Sequence, residues 1–444
     1  MLVRPYASAH IGIRVTELRK PTLDENNRWY TAVVIGGGGV AGSLVSFLLS
    51  SALVLGVWRL WQGYIAIPGN RSVRWIGAAF AFFFLAEALS TLINHVDRWT
   101  FLEGVVSNLP FLAFLIVFGR LSLTPRPDVL RWVEIGVIGG GIGAFLFACF
   151  QVFVQGLARA EGMAGNPGPF ALVCSVLYSL LLVTAMRRRD LIGQLAGLAA
   201  VASAIAVLLS GMRSLWPILI MAPLLIAFML GIFPKKANAR KIGLGVVVPV
   251  LLVAALGYGT IENRMSKLAD DYEQISVGEY DNSLGQRLRI WRAALRMIGE
   301  SPVFGHGPGK ARVEMAERTT DDGGPAITYS HAHNFVLNTW MRSGFIGLAA
   351  MLSMFAVPLW VAGRAEKDEI GRTGYAMMCA ICMCYVTTGL FNNSFGHDIL
   401  DALFIYGMIT TSYLVFGSSG TPRRVHPVQA ERAVDTSRLR GEVA

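Results

Sequence analysis

Apolar residues run along the chain in long blocks near residues 30–61, 75–93, 101–118, 132–157, 170–186, 191–209, 215–233, 242–259, 335–363, 375–391 and 399–416. Most have the length, roughly 17 to 25 residues, at which a helix crosses a hydrocarbon core about 30 Å thick. The pattern predicts an all-α membrane protein. The first block does not fit the rule: at about 32 residues it is too long for one ordinary span, and it carries Gly36 to Gly39 and Gly42. Read as a tight helical pair, it brings the expectation to about twelve transmembrane helices.

Charge supports that pairing. With the first block counted as a pair, loops on the amino-terminal side hold fifteen basic residues, from Arg71 and Arg74 through Arg120, Arg126 and Arg131 to Arg364, Lys367 and Arg372. Those on the other side hold three: Arg98, Arg159 and Arg213. Short basic loops stay in the cytoplasm, so both termini are expected there. The expected organisation is a cytoplasmic tail at 1–28, nine membrane helices over 29–259, one large extracytoplasmic (periplasmic) loop at 260–333, three further helices over 334–416 and a cytoplasmic tail at 417–444.

Composition agrees, with 54% apolar and 15% charged residues against about a quarter charged in soluble chains. The formal charge of +10 is concentrated in the short loops between blocks, so it reads as a topology signal and not as nucleic-acid binding. The first 28 residues lack the apolar core of a cleavable signal. All five cysteines lie inside apolar blocks. They imply no disulfide framework, and the Cys379/Cys382 pair reads as packing, because thiolates are costly in hydrocarbon.

On the outer side the arginines run against the orientation signal, so another cause is needed. Arg213 lies in a narrow polar break, Leu209 to Ser214, which suits a guanidinium holding a lipid diphosphate at the membrane surface. Arg159 shares that side. Residues 161–170 form a glycine and proline turn in which Asn166 could bond a sugar. The large loop is predicted to contain one amphipathic helix, Ser283 to Glu300, with Leu284, Leu288, Trp291, Leu295 and Ile298 on one face, laid on the membrane or on the bundle. Arg289, Arg292 and Arg296 cluster on one flank of that helix as a solvated side. Arg287 projects elsewhere, at roughly 300° on the helical wheel. The glycine-rich turn Val303 to Gly309 lacks what a P-loop needs. His331 and His333 close the loop, where an imidazole could do acid–base work. A third ligand at a familiar metal-binding spacing is missing, so no metal is expected.

These motifs resemble the O-antigen ligase and O-antigen polymerase superfamily of bacterial envelope glycan enzymes. The match is carried by Gly285 to Trp291, Ser301 to Gly309, His331-Ala332-His333-Asn334 and Gly344 to Leu348. The resemblance implies an inner-membrane protein with its site facing the periplasm. It would move a glycan from an undecaprenyl diphosphate carrier to an acceptor hydroxyl, with inversion and without cofactor or metal. It also implies roles: Arg213 and Arg287 hold the donor diphosphate, and His333 deprotonates the acceptor. His331, Arg159, Asn334 and Arg289 are secondary candidates. The expected partners are the lipid-linked glycan donor, an acceptor that is lipid A core or another lipid-linked glycan, and the bilayer. The reading adopted is an O-antigen ligase. An O-antigen or exopolysaccharide polymerase is the alternative within the family, and a transporter or flippase the more distant one.

Overall fold

The protein is described by a computed structural model covering residues 22–95, 97–232, 251, 272–276, 282–321 and 331–418. The basic loop with Lys235, Lys236, Arg240 and Lys241, all but residue 251 of the expected span at 242–259, and the tails before residue 22 and after residue 418 lie outside the described residues.

Every regular element among the described residues is helical. Eight helices there are long and apolar enough to cross a membrane, against about twelve expected for the whole chain. Three further apolar blocks are also helical but fall outside that set. The helices Leu23–Gly36 and Arg213–Met229 are short, and Glu369–Gly389 begins with charged residues.

The first apolar block is divided as its length required. Helix α1 (Leu23–Gly36) ends in a turn at Gly37–Gly39, and α2 (Leu44–Trp61) follows. Thr22 and Glu25 form a reciprocal capping box that starts α1. Glycine explains the crowding of this region. A methyl on Gly140 would stand 2.1 Å from the Gly36 carbonyl oxygen, and one on Gly136 would stand 2.4 Å from that of Ala32. Only a smooth glycine ridge lets α1 lie this close to α6 (Arg126–Cys149).

Next come α3 (Arg71–Asn94), then α4 (Arg98–Val106) and α5 (Ala113–Leu121), which share one apolar block interrupted at Leu109–Leu112 by Pro110. Two later helices, α7 (Pro167–Arg187) and α14 (Asp398–Phe416), form the axis of the bundle: 83% and 94% of their apolar windows are buried inside protein. An aromatic cluster of Phe80, Phe111, Phe355, Phe395 and Phe404 locks α14 to its neighbours, with ring centroids 5.1–6.4 Å apart. On the outer helices, Phe47, Leu85, Leu146 and Phe228 are exposed, as a lipid-facing surface requires.

The two ends of the bundle differ chemically. At one end the short basic loops meet. Arg28 pairs with Asp128 at 2.9 Å and Arg126 with Asp368 at 2.9 Å, while Glu134 is held by both Arg187 and Arg188. At the other end the loop around 151–168, the turn at 209–213, the glycine turn at 301–307 and the segment 390–401 are tied together. The Ala160 amide donates to the Leu209 carbonyl, Ser90 Oγ donates to the Phe304 carbonyl, and Asn334 Nδ2 donates to the Leu390 carbonyl.

Two expectations for the large loop are corrected. Besides α10 (Ser283–Glu300), the loop holds a second helix, α11 (Pro308–Asp321). Pro308 falls within the glycine-rich turn read at Val303 to Gly309, but at a first helical position its missing N–H costs nothing and its fixed φ suits the helix. The buried face of α10 overlaps the expected one only at its edge, where Ile298 is buried and Trp291 partly so. Ile290, Ala293, Ala294 and Met297 pack against Ala311, Met315 and Met341, whereas Leu295 is exposed. Weighting by side-chain size misplaced the face, because the alanines are what permit close approach. Arg289, expected on a solvated flank, is buried, whereas Arg292 and Arg296 are exposed.

Candidate active site

The site is organised by a break in a helix. Helix α12 (Phe335–Arg364) turns sharply at Gly344, whose φ of 64° and ψ of −166° belong to a region open only to glycine. The break frees backbone groups that need partners, and the glycine turn supplies them. His306 and Gly307 amides donate to the Met341 and Arg342 carbonyls at 3.0 and 2.8 Å, and the Phe345 amide donates to the Pro302 carbonyl at 2.8 Å. Trp340 Nε1 reaches the same Pro302 carbonyl at 3.0 Å. The turn is therefore a splice that closes the break, which explains why it needs glycine at positive φ at Gly305 and Gly307. The motifs at 301–309 and 344–348, far apart in sequence, form one structural unit.

Beside this splice lies an open cavity of ≈ 390 Å³. Its walls include Arg159, Arg287, His331, His333, Asn392 and His397. They arrive from four segments far apart in sequence. The Arg159 Nε donates to the Ser210 carbonyl at 2.8 Å, so this side chain is braced under the turn that carries Arg213. Arg287 comes from the first turns of α10, which Asn282 caps by accepting from the Gly285 amide. Asn166 caps α7 by accepting from the Gly168 amide and also faces the cavity, so its side-chain oxygen is already engaged. No carboxylate occurs among the described residues of this lining, which makes it suited to an anion.

His333 has the geometry of a proton acceptor. Its Nδ1 lies 3.3 Å from Asn392 Oδ1. A carbonyl oxygen can only accept there, so Nδ1 carries the hydrogen and Nε2 keeps its lone pair. Burial holds the His333 pKa below its ordinary value. The hydrogen bond that His333 donates to Asn392 opposes that effect, and the nearby Arg287 charge adds to it. His333 is also the one non-glycine residue at positive φ among those described, at 47°, a strained backbone of the kind that collects at working sites. The His331 ring lies 4.2 Å from that of His333, centroid to centroid, and its pKa is pushed down to about 4 by burial, then by His333 and Arg342. Both imidazoles are uncharged at neutral pH.

The structure therefore brings Arg159, Arg287, His331 and His333 around one cavity. Arg213 is exposed at the start of a short turn, one residue beyond the lining residue Met212. Asn334 has a structural role: its Oδ1 accepts from the Val336 and Leu337 amides, which caps α12. Arg289 is buried in α10 and is not among the cavity-lining residues. The segment 391–397, which follows α13 (Glu369–Gly389), escaped the sequence reading although it supplies Asn392, Asn393 and His397 to the wall. It contains no lysine or arginine, so a charge count passes over it. Its signal was an asparagine-rich break between two apolar blocks.

A helical, multi-pass membrane protein with a basic, histidine-bearing cavity at one end of its bundle is the class these features define. Residues 198–352 match the family model described as O-antigen ligase. That match supports the O-antigen ligase superfamily, the resemblance read from the loop motifs, and it contains Arg213, Arg287, His331, His333 and the break at Gly344. A Haemophilus influenzae protein described as uncharacterized is 22% identical over 297 residues, covering 64% of this chain and 71% of that relative.

Proposed function

We propose that this protein is an inner-membrane glycosyltransferase that moves a glycan from undecaprenyl diphosphate to an acceptor hydroxyl on the periplasmic side, and that it is an O-antigen ligase whose acceptor is lipid A core. The observation that carries this reading is the convergence of Arg159, Arg287, His331 and His333 on a cavity free of carboxylates among its described walls. Diphosphate is the chemistry such a wall recognises. The periplasmic placement, with both termini in the cytoplasm, rests on the charge bias of the short loops.

In the proposed step the acceptor O–H gives its proton to His333 Nε2, and its oxygen bonds to the anomeric carbon from the face opposite the diphosphate. The bond from that carbon to the diphosphate oxygen breaks, and the electron pair leaves with the diphosphate. Arg287 and Arg159 stabilise the growing negative charge in a site partly shielded from water, where fixed charges act most strongly. Arg213, exposed one residue beyond the lining residue Met212, is assigned the outer phosphate. The step calls on no metal, because guanidinium groups carry the charge that a metal would neutralise.

Two outcomes in a deletion strain test the reading. Accumulated lipid-linked polymer that is not joined to lipid A core is the expected result, whereas single capped repeats would make the protein a polymerase. Unchanged envelope glycan would remove the enzyme reading altogether.

The depressed histidine pKa values set a pH dependence. A base must be unprotonated, so activity is retained as pH falls through the ordinary histidine value of about 6.5 and is lost only below it. Arg287→Gln removes a charge that holds the His333 pKa down. This variant is expected to move the acid limb of kcat/KM to higher pH as well as slow transfer. A limb that stays in place would separate Arg287 from His333.

A further inference from the structure

A second cavity of ≈ 440 Å³ adjoins the first and shares His331, Asn393 and Gly396 with it. We propose that this second chamber is the acceptor subsite, built for a hydroxyl-rich sugar and not for an anion, and that His331 positions the reacting hydroxyl at the wall between the two. The inference rests on the transfer reading above and assigns the chambers their separate substrates.

Charge separates the chambers. The first has arginines and no carboxylate among its described walls, whereas the second presents Glu103, Asp398 and Asp401. The arginines of the second chamber face carboxylates: Arg342 pairs with the buried Glu87 at 3.1 Å, and Arg312 lies 3.9 Å from Glu103. A diphosphate placed there would meet repulsion from the exposed carboxylates of Glu103 and Asp398, whereas Asp401 is buried and holds the Gly396 amide. Sugar hydroxyls would instead find acceptors in those carboxylates and donors and acceptors in Asn108, Asn393 and Ser107.

Position supports the division. His333 faces only the first chamber, and His331 faces both. A hydroxyl seated in the second chamber therefore passes His331 on its way to His333. The segment that carries His331 is fixed from the chamber side, because Asn338 Oδ1 accepts from the Ala332 amide at 3.3 Å and Trp291 Nε1 donates to the Ala332 carbonyl at 3.1 Å. An uncharged His331 ring can accept a hydrogen bond from the hydroxyl and hold its oxygen toward the anomeric carbon. The helix break at Gly344 makes the chamber possible, since it ends the first half of α12 two residues after Arg342, which lines the wall.

The test uses the full chain in proteoliposomes with glycan-loaded carrier, and it follows release of undecaprenyl diphosphate against the concentration of two acceptors in parallel: glycan-free lipid A core and a second glycan-loaded carrier. Release is counted wherever the glycan goes, so ligase and polymerase are read by the same assay. Asp398→Ala and Glu103→Gln, both at partly exposed side chains, are expected to raise the KM for the effective acceptor tenfold or more. Binding of glycan-free undecaprenyl diphosphate should change less than threefold. His331→Gln should raise acceptor KM more than it lowers kcat, and Arg287→Ala should show the reverse selectivity by weakening diphosphate binding. The proposal is overturned if the second-chamber variants leave acceptor KM within twofold, or if they weaken diphosphate binding as much as Arg287→Ala does. Absence of release from the wild-type protein with either acceptor, or full release by His333→Ala and Arg287→Ala, would instead bring down the transfer reading.

Discussion

His333→Ala is expected to lower glycan transfer by about 10²–10⁴-fold, the usual contribution of a positioned general base, while the protein accumulates in the membrane at its normal level. The two halves of this expectation have separate physical grounds. Loss of rate follows because the hydrogen bond to Asn392 fixes which ring nitrogen can take a proton, and no neighbour reproduces that arrangement. His331 is close enough to touch His333, but its proton affinity is lower still, with a pKa near 4. A base that holds a proton so weakly gains little from removing one from an alcohol. Preserved abundance follows because alanine at φ 47° carries the same kind of backbone strain as histidine, and a ring that lines an open cavity leaves no sealed void behind. The measurement is undecaprenyl diphosphate release per mole of membrane-inserted protein. Asn392→Ala should fall between His333→Ala and wild type, because it removes the orienting partner and leaves the imidazole. If His331→Ala were the silencing change and His333→Ala nearly neutral, the two roles would have to be exchanged.

How much of this was legible in sequence depends on the kind of force involved. Membrane helices were legible because hydrocarbon imposes one rule on every backbone group, which leaves long apolar blocks. The same rule hid the break in α12, since residues 335–363 form one continuous apolar block and the turn that repairs the break lies some forty residues earlier in the chain. Gly344 was noticed as part of a motif, but nothing local told that its carbonyl neighbours would be satisfied by residues 302–307. Charge made Arg159 and Arg213 conspicuous, because they oppose the orientation signal. It could not single out Asn392, Asp398 or Asp401, which carry no positive charge and sit at the ends of an unremarkable polar break. Arg287 was reached by helical geometry even though the apolar face expected for α10 overlaps the buried one only at Trp291 and Ile298. Its projection away from Arg292 and Arg296 does not depend on which stripe is buried. The face itself is a packing property of the whole loop, set by where α11 and α12 present Ala311, Met315 and Met341.

Gly344→Ala is expected to be the most damaging single-methyl change in the described part of the chain, destabilising the folded protein by about 3 kcal/mol or more. Two costs combine. At φ 64° and ψ −166° an L-residue is strained whatever surrounds it. The added carbon would also fall 2.0 Å from the Val303 carbonyl oxygen and 2.4 Å from the Phe304 nitrogen, and those atoms are backbone held by the splice, so they cannot swing aside as a flexible side chain would. Relief requires pulling residues 302–307 away from α12, which breaks the hydrogen bonds to Met341 and Arg342 and displaces the Arg342–Glu87 pair. Gly63→Ala provides the control: Gly63 also has positive φ, at 76°, but has nothing within 4 Å of the added methyl. It should show only the conformational cost, roughly 1 kcal/mol. The comparison is made on the thermal stability of the detergent-solubilised protein. A much larger loss for Gly344→Ala is the expected result, and Gly305→Ala should follow it, because its methyl would meet the Arg342 carbonyl oxygen at 2.4 Å. Equal losses at Gly344 and Gly63 would mean that the turn and the broken helix are not held together as tightly as their hydrogen bonds require.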